Sequence, residues 1–388
     1  MSDALDGLAG ALRERMLAEP GEGEEAADRI RAFVDREAAV LDEASRDALA
    51  ARIAERSFGL GPLEPLLADP EVDEVLVCGT APAWIERRGR LEPTEARFAT
   101  EADLRHAIER ILAPLGRRVD EAEPLCDARL PDGSRVNVVV PPLALDGPVL
   151  TIRRFRRRGF TPDELVASGT LTAPLAELLA RAVRRRCNLL VCGGTGSGKT
   201  TLLNALSSFV DPGERVVTIE DAAELRLRQP HVLRLEARPP NLEGRGEVTI
   251  RRLVRNALRM RPDRIVVGEV RGPEALDMLT ALSTGHDGSL CTLHAGTAAE
   301  ALRRLETLAL MADVGLPHAA IREQVADAID LVVCQARAAD GSRRVVSVAE
   351  VVRVAGGAAA REIYTLRDGR PTWRAPLGED LAARLARE

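Results

Sequence analysis

The residues best suited to chemistry are gathered in Gly193-Gly194-Thr195-Gly196-Ser197-Gly198-Lys199-Thr200, with Thr201 following. Their spacing is that of a phosphate-binding loop, G-x-x-x-x-G-K-[ST]. Glycines without a Cβ let backbone N–H groups close on phosphate oxygens, and the helix that follows turns its positive end toward them. In such a cradle Lys199 reaches the terminal phosphates and the Thr200 hydroxyl is offered to Mg²⁺. Composition sharpens the reading, because Lys199 is the only lysine and the other 53 of the 54 basic residues are arginine. A chain that uses arginine for every other positive charge keeps here the compact ammonium that fits a phosphate cradle, where a planar guanidinium would not.

Glu269 is a second candidate, closing the apolar run Arg264-Ile265-Val266-Val267-Gly268. In a sheet built around a phosphate loop, a neighbouring strand carries its terminal carboxylate to the γ-phosphate, where Glu269 would orient water and share Mg²⁺ with Thr200. Val216-Val217-Thr218-Ile219-Glu220-Asp221 has the same form, with Glu224 close behind. Glu220 there is either a further carboxylate at the phosphate end or part of a solvated strand end. The stretch from Thr284 to His294 holds His286 and His294, two of only five histidines. A zinc site with Cys291 is disfavoured because Cys291 and His294 point to opposite faces of one strand. Both imidazoles are expected beside the nucleotide or between it and the next element.

These residues need strands that end together. Cys187 to Cys192 reads as a buried strand before the glycines, and the segment after Lys199 has helical spacing. From Leu171 on, helices alternate with apolar strands at 187–192, 215–220, 264–269, 289–293 and 330–335. That alternation predicts an α/β unit over 171–388 with a mostly parallel sheet covered on both faces. Residues 1–55 are polar with helical period (Leu8 and Leu12, then Ile30, Phe33 and Val34, then Leu49 and Ile53) and read as a helical lead-in or a partly mobile tail. Residues 56–152 read as an α+β domain with a hairpin at Asp132-Gly133. Residues 153–170 read as a linker in which Thr161 caps a helix and Pro162 opens it. Arg156 to Arg158 in it are a solvated run, an anionic-lipid patch or phosphate contacts at a domain interface.

At 388 residues the chain has room for two or three domains. A formal charge of −6, with only six Phe, two Trp and one Tyr, argues against direct nucleic-acid binding. The six cysteines show no C-x-x-C pair and read as reduced core residues of a cytosolic protein. No signal peptide and no membrane-spanning run is expected.

The phosphate loop, the IEDAAEL box, the RPDRIVVGEVRG segment and the TGHDGSLCTLHAG box, in that order and spacing, resemble the secretion ATPases of bacterial type II and type IV systems. The stretch ARPPNLEGRGEVTIRRLVRNALRMRPDRIVVGEVRGPEALDMLTALSTGHDGSL is most similar to the CpaF-type ATPases of tight-adherence (Flp/Tad) pilus assembly. The resemblance implies a RecA-like P-loop NTPase motor, a PAS-like N-terminal domain, a homo-hexamer, and ATP with Mg²⁺ held between the two domains. It makes Gly194, Thr195, Gly196, Ser197, Gly198, Lys199, Thr200 and Thr201 the nucleotide loop and Glu269 the Walker B carboxylate. Glu220 falls in the Asp box, and His286 and His294 in the His box. A nucleotide between two domains calls for arginines that arrive on closure, and Arg135 on the hairpin, Arg153 and Arg154 at the end of the following strand, with Arg259 and Arg271 flanking the Walker B strand, are the candidates. The implied protein is cytoplasmic and held at the inner membrane by platform proteins. It drives assembly, and possibly retraction, of a Flp/Tad pilus; a type IV secretion or conjugation motor is the alternative.

Overall fold

The computed structural model describes residues 26–387 other than 59, 88, 156–158, 239, 241–244 and 368, together with Leu8, Leu12 and Arg15. The chain divides into two compact units, Met1–Arg156 and Arg157–Glu388.

The first unit begins with α1 (Ala26–Glu37) and α2 (Glu43–Phe58). Ile30, Phe33, Val34, Leu49 and Ile53, one face of each helix by their spacing, pack with Leu12 and Ala38 into a core of their own. After α3 (Glu64–Ala68) comes an antiparallel sheet of β1 (Val72–Cys78), β2 (Trp84–Arg87), β3 (Arg90–Pro93), β4 (Leu125–Arg129), β5 (Arg135–Val139) and β6 (Val149–Arg153), in the order β3-β2-β1-β6-β5-β4. The hairpin expected at Asp132-Gly133 joins β4 to β5 and sets Arg129 opposite Arg135. Helix α4 (Glu101–Leu112) starts where the Thr100 side chain accepts from the Asp103 N–H. It lays Leu104, Ala107, Ile108 and Ile111 against Val75, Val136, Val138 and Ile152.

The second unit opens with α5 (Pro162–Ala167), set by a Thr161–Glu164 capping box with Pro162 in its first turn. Arg153 therefore ends a strand of the first unit while Leu165 lies in a core of the second. Arg156 to Arg158 lie outside the described residues. Next come α6 (Ala173–Arg184), β7 (Leu189–Gly193), α7 (Lys199–Ser207), β8 (Val216–Glu220), β9 (Val232–Glu236), α8 (Ile250–Ala257), β10 (Arg264–Val267), α9 (Glu274–Leu282), β11 (Leu290–Leu293), α10 (Ala298–Leu310) and α11 (His318–Ala328). The chain closes with β12 (Leu331–Arg337), β13 (Arg343–Val354), β14 (Gly357–Arg367), β15 (Arg370–Trp373) and α12 (Glu379–Ala386). The nine strands run in the order β15-β14-β13-β12-β7-β11-β10-β8-β9. From β12 to β9 neighbours are parallel, and β13 to β15 add an antiparallel meander.

Side-chain alternation along each strand divides the interior into two cores. Val217, Ile219, Ile265, Val267, Cys291 and Leu293 face α8 to α11, whereas Val216, Val266, Leu290, Leu189 and Val191 face α6, α7 and α12. Strands buried on both faces read as continuous apolar runs, which is why these were visible in the sequence. Edge strand β9 was not, since its pattern of half-buried and exposed residues is short and polar. At the sheet's far end Arg264 is fully buried: Nη1 donates to the carbonyls of Val183 (2.6 Å) and Gly288 (3.1 Å), Nη2 to Glu214 (3.0 Å), and Nε also to Glu214. This tie joins the end of α6, the turn before β11 and the start of β10.

Candidate functional site

The phosphate loop leaves β7 at Gly193, whose neighbours allow no side chain. An added Cβ would meet the Gln335 carbonyl oxygen at 2.2 Å and Ser197 Oγ at 2.5 Å. Gly196 (φ 69°) and Gly198 (φ 93°) take the left-handed conformation that turns the chain into α7. Ser197 Oγ donates to the Gly194 carbonyl at 2.9 Å and braces the bend. Thr200 and Thr201 stand half-buried in the first turn of α7, so the loop turns backbone N–H groups and the positive end of a helix toward one spot. Lys199 folds back over the loop, with Nζ 3.1 Å from the carbonyls of Gly193 and Gly194 and 3.3 Å from His294 Nδ1. Burial, chiefly, lowers its pKa, against the pull of Glu269.

His294 follows β11, the neighbour of β7, and Glu269 follows β10, the neighbour of β11. His294 Nε2 lies 2.8 Å from Glu269 Oε1, an electrostatic contact off the line of a hydrogen bond, so that buried oxygen keeps its acceptor capacity. The other oxygen accepts from Arg271 Nη2 at 2.7 Å, and Arg271 Nη1 lies 3.8 Å from Asp221 Oδ2 beyond β8. Burial raises the pKa of Glu269, but the Arg271 hydrogen bond and charge, with His294 and Lys199, outweigh it and hold the carboxyl ionised. Burial and the Lys199 charge lower the pKa of His294, against the pull of Glu269. An ammonium can only donate, so Nδ1 accepts from Lys199 and the ring proton sits on Nε2, toward Glu269. Four adjacent parallel strands thus end in one polar line, Lys199–His294–Glu269–Arg271–Asp221.

Glu220 ends β8 on the face that carries α7. It is 3% exposed, and Oε2 accepts from the N–H groups of Glu224 (2.8 Å) and Leu225 (2.9 Å). Oε1 has no hydrogen-bond partner among the described residues, nor has Thr218 Oγ1 on the same face. Burial pushes the carboxyl up to about 7, moderated by those two N–H donors. Gly268 is what lets Glu220 pass, since a Cβ there would sit 2.6 Å from Glu220 Cγ. Thr200 brings a hydroxyl, and Glu220 and Glu269 each an oxygen without a hydrogen-bond partner among the described residues, donor types that suit a hard cation such as Mg²⁺. The glycine cradle and Lys199 fit a polyphosphate.

The structure corrects two of the sequence's placements. His286 is not beside the nucleotide loop; it sits in the turn before β11, Nδ1 3.2 Å from the Ala281 carbonyl, while His294 follows the same strand. Parallel β11 therefore puts the two imidazoles at opposite edges of the sheet. Arg259, on the turn between α8 and β10, is likewise at the start of the strand whose other end carries Glu269. Of the arginines in the first unit, Arg154 donates through Nη1 to the carbonyls of Asp69 and Val72 (3.2 Å to the latter). Arg153 lies 3.5 Å from Glu74, and Arg135 pairs in register with Arg153. Sequence reasoning passed over Gln335, Arg337 and Arg343, which lie against the phosphate loop and carry no motif that would have marked them.

A mostly parallel sheet with this loop between a central strand and its helix, and a carboxylate at the end of a nearby strand, defines an α/β protein of the P-loop class. The profile of the type II/IV secretion system protein family matches residues 56–363, and the chain belongs to that family. It is 44% identical over 305 residues to a putative conjugal transfer protein of Mycobacterium tuberculosis, covering 77% of this chain and 86% of that one. It is 39% identical over 327 residues to the type IV secretion system protein PtlH of Bordetella pertussis, covering 77% and 95%. Its fold is like that of the Legionella pneumophila ATPase DotB, with a TM-score of 0.53 at 21% identity over 86% of this chain and 82% of that one. Among the described residues no helix is long and apolar enough to cross a membrane.

Proposed function

We propose that this chain is a Mg²⁺-dependent ATP hydrolase that works as a homo-hexameric, RecA-like motor on the cytoplasmic side of the inner membrane, against platform proteins of a Flp/Tad-type pilus. The observation that carries the hydrolase reading is the line from Lys199 through His294 to Glu269, which couples the phosphate-binding ammonium to a carboxylate held ionised with one open oxygen. In this reading the N–H groups of residues 194–201 and Lys199 bind the β- and γ-phosphates. Thr200 and Glu269 would hold the cation, which neutralises phosphate charge when bound. Glu269 Oε1 orients the attacking water, and Arg271 keeps Glu269 from taking the proton prematurely.

The test is phosphate release from ATP by the full chain, with its mass read by light scattering. Turnover that needs Mg²⁺ and vanishes in Lys199→Ala supports the reading, and turnover equal to that variant's overturns it. Cargo is read in a deletion strain. Loss of surface Flp pili with DNA transfer and effector export intact supports the pilus assignment. Loss of transfer or export with pili intact selects the type IV motor, which the names of the Mycobacterium and Bordetella relatives favour.

A further inference from the structure

The phosphate loop has two flanks. On one, β11 and β10 bring His294 and Glu269. On the other, β12 runs past the loop to Arg337 and returns as β13 from Arg343. Arg337 and Arg343 face each other in the ladder, and Gln335 pairs with Val345 just inside them. Arg343 Nε donates to the Gly196 carbonyl at 3.0 Å. A Cβ on Gly198 would lie 3.0 Å from Arg343 Cδ and 3.3 Å from Gln335 Nε2, and one on Gly196 would lie 3.5 Å from Arg337 Nη1. Gln335 is 3% exposed, and its Oε1 has no hydrogen-bond partner among the described residues. Two guanidinium groups and a buried amide with a spare acceptor thus line the flank that faces away from the hydrolytic carboxylate.

A nucleoside triphosphate is polar end to end. If its γ-phosphate lies at Glu269 and its β-phosphate in the loop, the α-phosphate and nucleoside must leave on the β12 side, because β7 stands between the two flanks. Guanidinium groups suit that end, since the planar fork pairs with a phosphate and also stacks on a base. We propose that Arg337 and Arg343 bind the nucleoside end of the nucleotide, its α-phosphate and base, over the flank of the phosphate loop opposite Glu269. The proposal rests on the ATP hydrolase reading and extends it with a second half-site built from the β12–β13 hairpin.

The experiment compares binding of fluorescent ADP with competition by inorganic pyrophosphate, which fills the β and γ positions and has no nucleoside end. It uses the full-length wild type, Arg337→Ala, Arg343→Ala and Arg343→Lys. Each alanine variant is expected to bind ADP about 10-fold more weakly or worse, as for the loss of a charge-assisted contact. Pyrophosphate affinity should stay within about 2-fold of the wild type, and the ADP affinity of Arg343→Lys should fall between those of the wild type and Arg343→Ala. Unchanged ADP affinity in both alanine variants overturns the proposal. So does a parallel loss of pyrophosphate affinity, which would mean that the arginines only brace the loop. A wild type that binds neither probe overturns the hydrolase reading itself, an outcome distinct from both.

Discussion

His294 Nδ1 lies 3.3 Å from Lys199 Nζ while the same ring's Nε2 lies 2.8 Å from Glu269 Oε1. One neutral imidazole therefore spans the ammonium of the phosphate loop and the carboxylate of the next strand but one. Phosphate bound at Lys199 must compete with His294 for the ammonium, so the carboxylate's environment changes with occupancy of the loop. His294→Ala is expected to lower kcat about 10- to 100-fold with little change in ATP affinity, read by steady-state turnover and by equilibrium binding. Equal losses in both would make His294 part of phosphate binding alone.

Lys199→Arg should be as inactive as Lys199→Ala. Lys199 is 7% exposed, its ammonium lies against the carbonyls of Gly193 and Gly194, and a guanidinium fork is too wide for that slot. Turnover in the arginine variant near that of the wild type would overturn the steric argument.

Glu269→Gln keeps the shape but removes the charge that orients water. Nucleotide binding is expected to persist while turnover falls by at least ~10²-fold. Joint loss of both would show that Glu269 serves mainly to hold the cation and not to orient water.

Glu220 gives a pH signature. Burial raises its folded-state pKa from the ordinary 4.5 to about 7, so between those values the native state binds a proton that the unfolded chain has released. Stability then falls as pH rises through that window, by about 3 kcal/mol at most for this one group. Melting curves from pH 4.5 to 8 should show the wild type losing stability relative to Glu220→Gln. A constant difference between the two across that range would show that Glu220 is ionised throughout.

Arg264→Met should destabilise the second unit by about 3–5 kcal/mol, because it leaves Glu214 and two carbonyls without their donor in a buried place. Urea denaturation measures this. A loss under about 1 kcal/mol would mean that water replaces the guanidinium there.

What could be read from the chain alone was whatever local covalent pattern determines. Glycines at fixed spacing before Lys199 specify a loop because only glycine takes those backbone angles and tolerates that approach, and β7, β8, β10 and β11 stand out as apolar runs because both of their faces are buried. The carboxylates Glu220 and Glu269 were legible for the same reason, as the first charges after such runs. Which strand lies beside which is a property of the sheet, and no spacing along the chain contains it. Tertiary structure alone therefore set His294 between Lys199 and Glu269, sent His286 and Arg259 to the opposite edge through the direction of parallel strands, and turned Arg154 onto the carbonyls of Asp69 and Val72. It also brought Gln335, Arg337 and Arg343 against a loop more than a hundred residues earlier in the chain. The physical reason is one throughout: backbone preference acts over a few residues, whereas the contacts of a polar side chain are decided by which hydrogen-bonded neighbours the finished sheet supplies.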